Sequence, residues 1–247
     1  MKANFGLAVI LSAAVCGLRV NGAEPQASAD SKDPSAQGAE SFDYLVRDDF
    51  FRGMRGDQTA FDRALKLCEE ALAKNPQDAP AMVWHGDCQI VLAGKAFQNG
   101  DFAQGQELWN RGLNEMNEAV ALTPDSLQVL IPRGSTLLSV AKYMPDPKQA
   151  KALVKTGVAD YEKVLQIQKP HFEQLSVHSR GELLFGLADG WLRLGNAEKS
   201  REYLQQIASE LDGSEYDTRA HDWLDTKDSE ALQNKSKALS CIGCHGQ

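Results

Sequence analysis

Residues 61–76 are FDRALKLCEEALAKNP, and the spacing of the apolar side chains in this stretch decides the fold class. The apolar residues that recur at intervals of four, three and four are Phe61, Leu65, Cys68 and Leu72. These intervals place them on one face of an α-helix. The same spacing recurs along most of the chain, and no comparable run has the period of two that a strand needs. The sequence therefore predicts an all-α fold.

Prolines divide the helical pattern at regular intervals. Pro76, Pro124 and Pro170 lie 48 and 46 residues apart, and each ends one helical pattern before the next begins. A fixed period of this size predicts an internal repeat.

The residues around these prolines resemble the tetratricopeptide repeat (TPR), whose helix pairs have small residues at the helix crossing and a proline after the second helix. Two sets of small residues followed by a proline occur in the same order, as Ala64, Ala71, Pro76 and as Gly112, Ala119, Pro124. The small residues expected at the next crossings are the glycines of His85-Gly86 and Arg133-Gly134. The third unit shows the pattern most fully, at Leu184, Leu187, Ala188, Trp191, Gly195, Ser200 and Leu204.

This resemblance covers residues 57–211, but each unit exceeds the usual period of about 34 residues by a dozen or more. The extra residues fall near residues 99–101 and 143–147, and longer helices would accommodate them. The resemblance implies a right-handed superhelical stack of antiparallel helix pairs with enlarged repeats. Its concave face is expected to bind protein partners.

The sequence predicts four regions: a signal peptide at 1–23, a disordered linker at 24–41, the helical repeat domain at 42–224 and a C-terminal tail at 225–247. The signal has a positive Lys2, an apolar run at residues 5–15 and small residues before position 24. A lipoprotein anchor at Cys16 is not expected, because the usual Leu and an adjacent small residue are missing before it. We therefore expect a periplasmic or otherwise exported protein.

Charge and hydropathy exclude two classes of partner. Removal of the signal takes away Lys2 and Arg19 and no acidic residue, so the formal charge of −8 becomes −10. Nucleic acid is therefore not an expected partner. No run downstream of the signal reaches about 18 apolar residues, so no membrane span is expected.

Residues 241–245 are CIGCH, the pattern of c-type haem attachment. The motif implies that Cys241 and Cys244 each add across one vinyl group of the porphyrin to form a thioether. His245 would then bind the iron from the proximal side. Three other interpretations stay open: a plain disulfide, a zinc site that takes a fourth ligand from elsewhere, and a redox-active thiol pair.

The tail leaves little chain to wrap a haem, because two residues follow the motif. The haem would have to be covered by the repeat domain or by a partner. Residues 229–239 predict a short helix, and Leu232, Leu239 and Ile242 lie on one stripe that could dock the motif. The connector at residues 225–228 is polar, so loose docking is expected.

The distal haem ligand has several candidates. Met144 lies in a proline-bounded loop, His171 follows Pro170, and His221 is the histidine nearest to the motif in sequence. A five-coordinate iron, as a peroxidase-like enzyme would need, is an equal alternative. His85, at an expected helix crossing, is predicted to be structural.

Asp78 lies in the expected turn between two antiparallel helices, and Cys68 and Cys88 lie ten residues before and after it. The two cysteines should therefore face each other at the same level along the two helices. A disulfide is one outcome in an exported protein, and two buried thiols are the other.

No enzyme class is indicated. Adjacent acidic pairs such as Asp48-Asp49 point about 100° apart on a helix, which is typical of a solvated face. The sequence shows no Ser-His-Asp signature, phosphate-binding glycine loop or metalloprotease motif. The leading hypothesis is a scaffold with one covalent haem for electron transfer or haem-linked sensing. The alternative is a protein-binding adaptor whose terminal cysteines form a disulfide.

Overall fold

A computed structural model describes residues 41–238 of the chain, and the regular elements in that range are all helical. The α-helices are α1 Phe42–Met54, α2 Gln58–Lys74, α3 Ala79–Gln98, α4 Phe102–Leu122, α5 Leu127–Val140, α6 Pro147–Gln168, α7 Val177–Arg193, α8 Ala197–Glu210, α9 Glu215–Asp225 and α10 Ser229–Ala238. A 3-10 helix at Lys169–Gln174 joins α6 to α7. The prediction of an all-α fold is confirmed. The predicted signal, residues 24–40 of the predicted linker and residues 241–245 lie outside the described residues.

Helices that follow one another pack as pairs. The extensively packed pairs are α1 with α2, α3 with α4, α5 with α6, and α7 with α8. Short turns reverse the chain within each pair, so the two helices run antiparallel. Helix α9 packs against α8, and α10 packs against α7.

Three of the turns within pairs have the same two-residue joint. A glycine with positive φ ends the first helix, and the next residue caps the second helix by accepting a backbone N–H. The joints are Gly56-Asp57, Gly100-Asp101 and Gly195-Asn196. The α5–α6 turn differs: Met144-Pro145 precedes the cap Asp146, and no glycine is present.

In two of the pairs, glycines let the two helices approach each other closely. A Cβ on Gly112 would lie 2.7 Å from the carbonyl oxygen of Gly86, and a Cβ on Gly157 would lie 3.0 Å from that of Gly134. The second contact repeats the first 48 residues later on the first helix and 45 residues later on the second. The predicted crossings at Gly86 and Gly134 are confirmed.

A polar contact beside each crossing repeats with the same offsets. His85 Nδ1 lies 2.7 Å from Glu115 Oε2, and Gln89 Nε2 lies 3.1 Å from the other ring nitrogen. In the next pair, Arg133 donates to both carboxylate oxygens of Asp160 at 2.8 and 2.6 Å. The Nδ1 contact joins α3 to α4, whereas the contact with Gln89 lies within α3, and together they give His85 the structural role that was predicted.

The three prolines lie between pairs, as predicted: Pro76 and Pro124 in turns and Pro170 in the 3-10 helix. Helices α3, α4 and α6 have 20, 21 and 22 residues, which accounts for the long period.

The core consists of two clusters that meet at α5. Val129 belongs to the cluster of the first four helices, whereas Leu130 belongs to the cluster of the later helices. Val120 of α4 packs against both clusters. Between residues 41 and 238, none of the helices combines the length and apolar character required to cross a membrane.

Candidate functional site

A groove of about 590 Å³ is lined by residues of helices α1, α3, α5, α6 and α7. We call it the interhelical groove. Its walls repeat: Trp84, Asp87 and Val91 on α3 line it, and so do Pro132, Ser135 and Ser139, each 48 residues later on α5. The first helix of each pair therefore contributes the same face to one continuous site.

The walls of the interhelical groove are rich in aromatic and aliphatic side chains. Phe50 and Trp84 pack edge to face, with ring centroids 5.3 Å apart. Tyr143 is 81% exposed and Ile131 is 41% exposed, although both line the groove. An accessible apolar surface inside a cleft is typical of a binding site for a largely apolar ligand.

Asp87 is a buried carboxyl group in the wall of the groove, with 2% of the residue exposed. Burial raises its pKa well above the ordinary range, and a hydrogen bond with Thr136 offsets this only in part. Its Oδ1 has no hydrogen-bond partner among the described residues. Asp87 thus keeps its proton to higher pH than an ordinary aspartate and adds little charge to the groove.

His178, near the start of α7, lines the groove beside Glu182. The Tyr216 hydroxyl donates to Glu182 Oε1 at 2.9 Å and lies 2.8 Å from His178 Nδ1. Because the hydroxyl gives its one proton to Glu182, it accepts the proton of His178 Nδ1. This arrangement fixes the imidazole tautomer with its lone pair on Nε2, as in many metal-binding histidines.

A buried polar cluster joins α10 to α7 and to the turn that follows α5. The Ser236 hydroxyl donates to Asp189 Oδ1, and Lys142 Nζ donates to the Ser236 carbonyl oxygen at 2.9 Å. Lys142 Nζ also lies 3.5 Å from Asp189 Oδ2, and Arg193 lies 3.4 Å from the same oxygen. We call these four residues the α10 latch. Lys142 also lines the groove, so the latch lies at one end of it.

The predicted docking helix before the haem motif is present as α10, and Leu232 packs against the core. Leu239, Ile242, Cys241, Cys244 and His245 lie outside the described residues. The prediction named an apolar stripe alone and missed the polar latch.

The two predicted distal ligands lie at opposite ends of α6. Met144 is in the turn before α6, two residues after Lys142, whereas His171 is exposed in the 3-10 helix that follows. At 1.5 Å per residue, the 22 residues of α6 separate these ends by about 33 Å. Neither residue lines the groove, although Tyr143, next to Met144, does. His221 is exposed on α9, with Nε2 3.2 Å from Asp217 Oδ1.

Cys68 and Cys88 are both buried and are free thiols in the structure. A hydrogen bond with Cys68, followed by burial, raises the pKa of Cys88 well above its ordinary value. The predicted proximity of the two thiols is confirmed, and their disulfide stays a prediction.

The residues that sequence reasoning missed are His178, Asp87 and the α10 latch. The repeat gave a signal for Asp87, because Asp87 on α3 corresponds to Ser135 on α5, and both residues line the groove. Nothing in the sequence pairs Ser236 with Asp189. Within the described range, no group of three or more His, Cys, Asp or Glu side chains is placed to hold a metal ion.

Comparison of the chain with protein-family models, with curated proteins and with solved structures finds no significant match in any of the three.

Proposed function

We propose that the chain is a periplasmic helical-repeat protein that carries one covalent c-type haem, for electron transfer or haem-linked sensing within a protein assembly. In this proposal Cys241 and Cys244 form the thioethers and His245 is the proximal ligand. The order of residues 241–245, CIGCH, carries the proposal. Haem attachment requires two thiols at this spacing, followed by an imidazole.

The fold that we propose is a right-handed superhelical stack of TPR-like pairs with enlarged repeats. Support comes from contacts that recur with the same offsets, such as Gly86 to Gly112 and Gly134 to Gly157. The first helices of successive pairs also line one groove, as the inner helices of a repeat stack would. Protein partners would bind this concave side of the stack.

The described residues fit a haem. The interhelical groove has the volume of a cofactor site, and its walls are largely apolar. Arg47, which is among the lining residues, could pair with a carboxylate of the porphyrin. When bound, a c-type haem supplies one-electron exchange at its iron.

The test is to produce the full chain in an exporting host with the c-haem maturation machinery. Pyridine haemochrome analysis and mass spectrometry of the C-terminal peptide should show one haem attached to residues 241–244. The double variant C241A/C244A should carry none. Wild-type protein without covalent haem would overturn the proposal.

A second candidate function is a protein-binding adaptor whose terminal cysteines form a disulfide. The exposed apolar residues of the groove favour it, because Tyr143 and Ile131 are placed to contact a partner. The same peptide mass distinguishes the two, since a disulfide removes two hydrogens and a haem adds its full mass.

A further inference from the structure

The end of α10 lies beside the interhelical groove. The Ser236 carbonyl oxygen accepts a hydrogen bond of 2.9 Å from Lys142 Nζ, and Lys142 itself lines the groove. The backbone at Ser236 is therefore hydrogen-bonded to a side chain that lines the groove.

The length of chain between α10 and the haem motif lets the motif reach the groove. Helix α10 ends at Ala238, three residues before Cys241, and a fully extended chain covers about 10 Å in three residues. Ile131 lies nine residues before Val140, the last residue of α5, which corresponds to about 14 Å of helix, and Lys142 follows in the turn. Cys241 can therefore reach the part of the groove nearest to Lys142.

The groove also has the surface that a haem would cover. Tyr143, Ile131 and Tyr44 line it and are 81%, 41% and 46% exposed. A porphyrin is flat and mainly apolar, so it would bury these side chains.

Among the described residues that line the groove, the histidine is His178. It lies 11 residues before Asp189 of the latch, about 16 Å along α7. Seven residues lead from Ala238, the end of α10, to His245, a reach of about 24 Å when extended. The bond from His178 Nδ1 to Tyr216 directs the lone pair to Nε2, the form that binds iron.

We propose that the haem carried by Cys241 and Cys244 docks in the interhelical groove of its own chain, with His178 as the ligand on the side opposite His245. This inference rests on the proposed function. It names the groove as the haem site and replaces Met144 and His171 as the distal ligand. A protein partner would then meet the haem edge at the mouth of the groove.

The docking test uses hydrogen exchange on the full mature chain with attached haem and on the haem-free C241A/C244A variant. Attached haem should raise the protection of α1, α3 and α5 about tenfold or more, with no change in α8. The groove variants Y143E and I131E should lose this gain. The matched controls F102E and L122E, which change residues of similar exposure that do not line the groove, should keep it.

The ligand test uses visible spectra of H178A, M144A and H171A, each with haem attached. We expect H178A to change from low spin to high spin and the other two to match the low-spin wild type. His171 is an exposed histidine like His178, so H171A is the matched control.

These outcomes separate the two proposals. Attached haem without added protection in the groove would overturn the docking and leave the proposed function in place. Protection that depends on protein concentration would assign the groove to a second copy of the chain and would also overturn it. An unchanged spectrum in H178A would overturn the ligand assignment. Absence of attached haem would overturn the proposed function and the docking together.

Discussion

The Ser236 hydroxyl donates a hydrogen bond to the carboxylate of Asp189, although 47 residues separate them in the sequence and both are 3% exposed. The same carboxylate is close to two cations, Lys142 and Arg193. A buried carboxylate with several partners fixes the position of what it binds. This contact therefore fixes the C-terminal part of α10 against α7.

Replacing Ser236 with alanine should loosen α10 without unfolding the rest of the chain. The Asp189 carboxylate loses one buried hydrogen bond, which costs about 1–3 kcal/mol when the acceptor is charged. Hydrogen exchange of residues 229–238 should become faster. The control S209A removes an exposed hydroxyl on α8 and should leave this exchange unchanged. Equal exchange in wild type and S236A would show that the latch does not hold α10.

Replacing Asp87 with asparagine should stabilise the protein at neutral pH. The unfolded carboxyl ionises near pH 3.9, whereas burial raises the pKa of the folded carboxyl. Between these two values the folded state binds more protons, so stability falls as the pH rises through this window. Asparagine removes this loss. Thermal melting should show a gain for D87N at pH 7 that shrinks toward pH 4.

The matched control for D87N is D189N, because Asp189 is buried to the same degree. Its carboxylate offsets the charges of Lys142 and Arg193, so D189N should lower the melting temperature at pH 7. Shifts of the same sign in both variants would contradict this account of the two carboxyl groups.

Replacing Gly112 with alanine should destabilise the α3–α4 pair. Its Cβ would lie 2.7 Å from the Gly86 carbonyl oxygen, so the helices must separate, at a cost of about 1–3 kcal/mol. The control is G94A in α3, where a Cβ meets no atom within 4 Å. That change should stabilise the helix by about 0.5–1 kcal/mol. Denaturant unfolding of both variants measures the difference, and similar losses would contradict the close crossing.

The thiols of Cys68 and Cys88 should resist alkylation in the folded protein. Both are buried, and the raised pKa of Cys88 keeps its thiolate scarce at pH 8. Denaturation without a reductant should make both react with iodoacetamide. Reaction that occurs only after reduction would instead establish the disulfide.

Local spacing was sufficient to predict the helices and their closest contacts. The intervals around Phe61 predicted helix, and the glycines at positions 86 and 134 predicted close crossings. Both follow from short-range geometry, since helix period and side-chain size determine them. The prolines at positions 76, 124 and 170 likewise mark the connections between pairs.

The groove could not be predicted in the same way, because its residues come from five helices. His178 acquires its tautomer from Tyr216, which lies 38 residues later. Ser236 reaches Asp189 across a similar interval, and neither residue type is distinctive in a sequence. The prediction of Met144 and His171 as ligands depended on their local loops. In the structure, α6 lies between these two loops and keeps them apart, and the sequence indicated its length only roughly.

The most direct test of the central claim is the intact mass of the mature chain, purified from an exporting host that attaches c-type haem. The account predicts the mass of one haem added to the wild-type chain and none added to C241A/C244A. A wild-type mass without haem would contradict the claim, and a C-terminal peptide lighter than its reduced form by two hydrogens would then leave residues 241–244 as a disulfide.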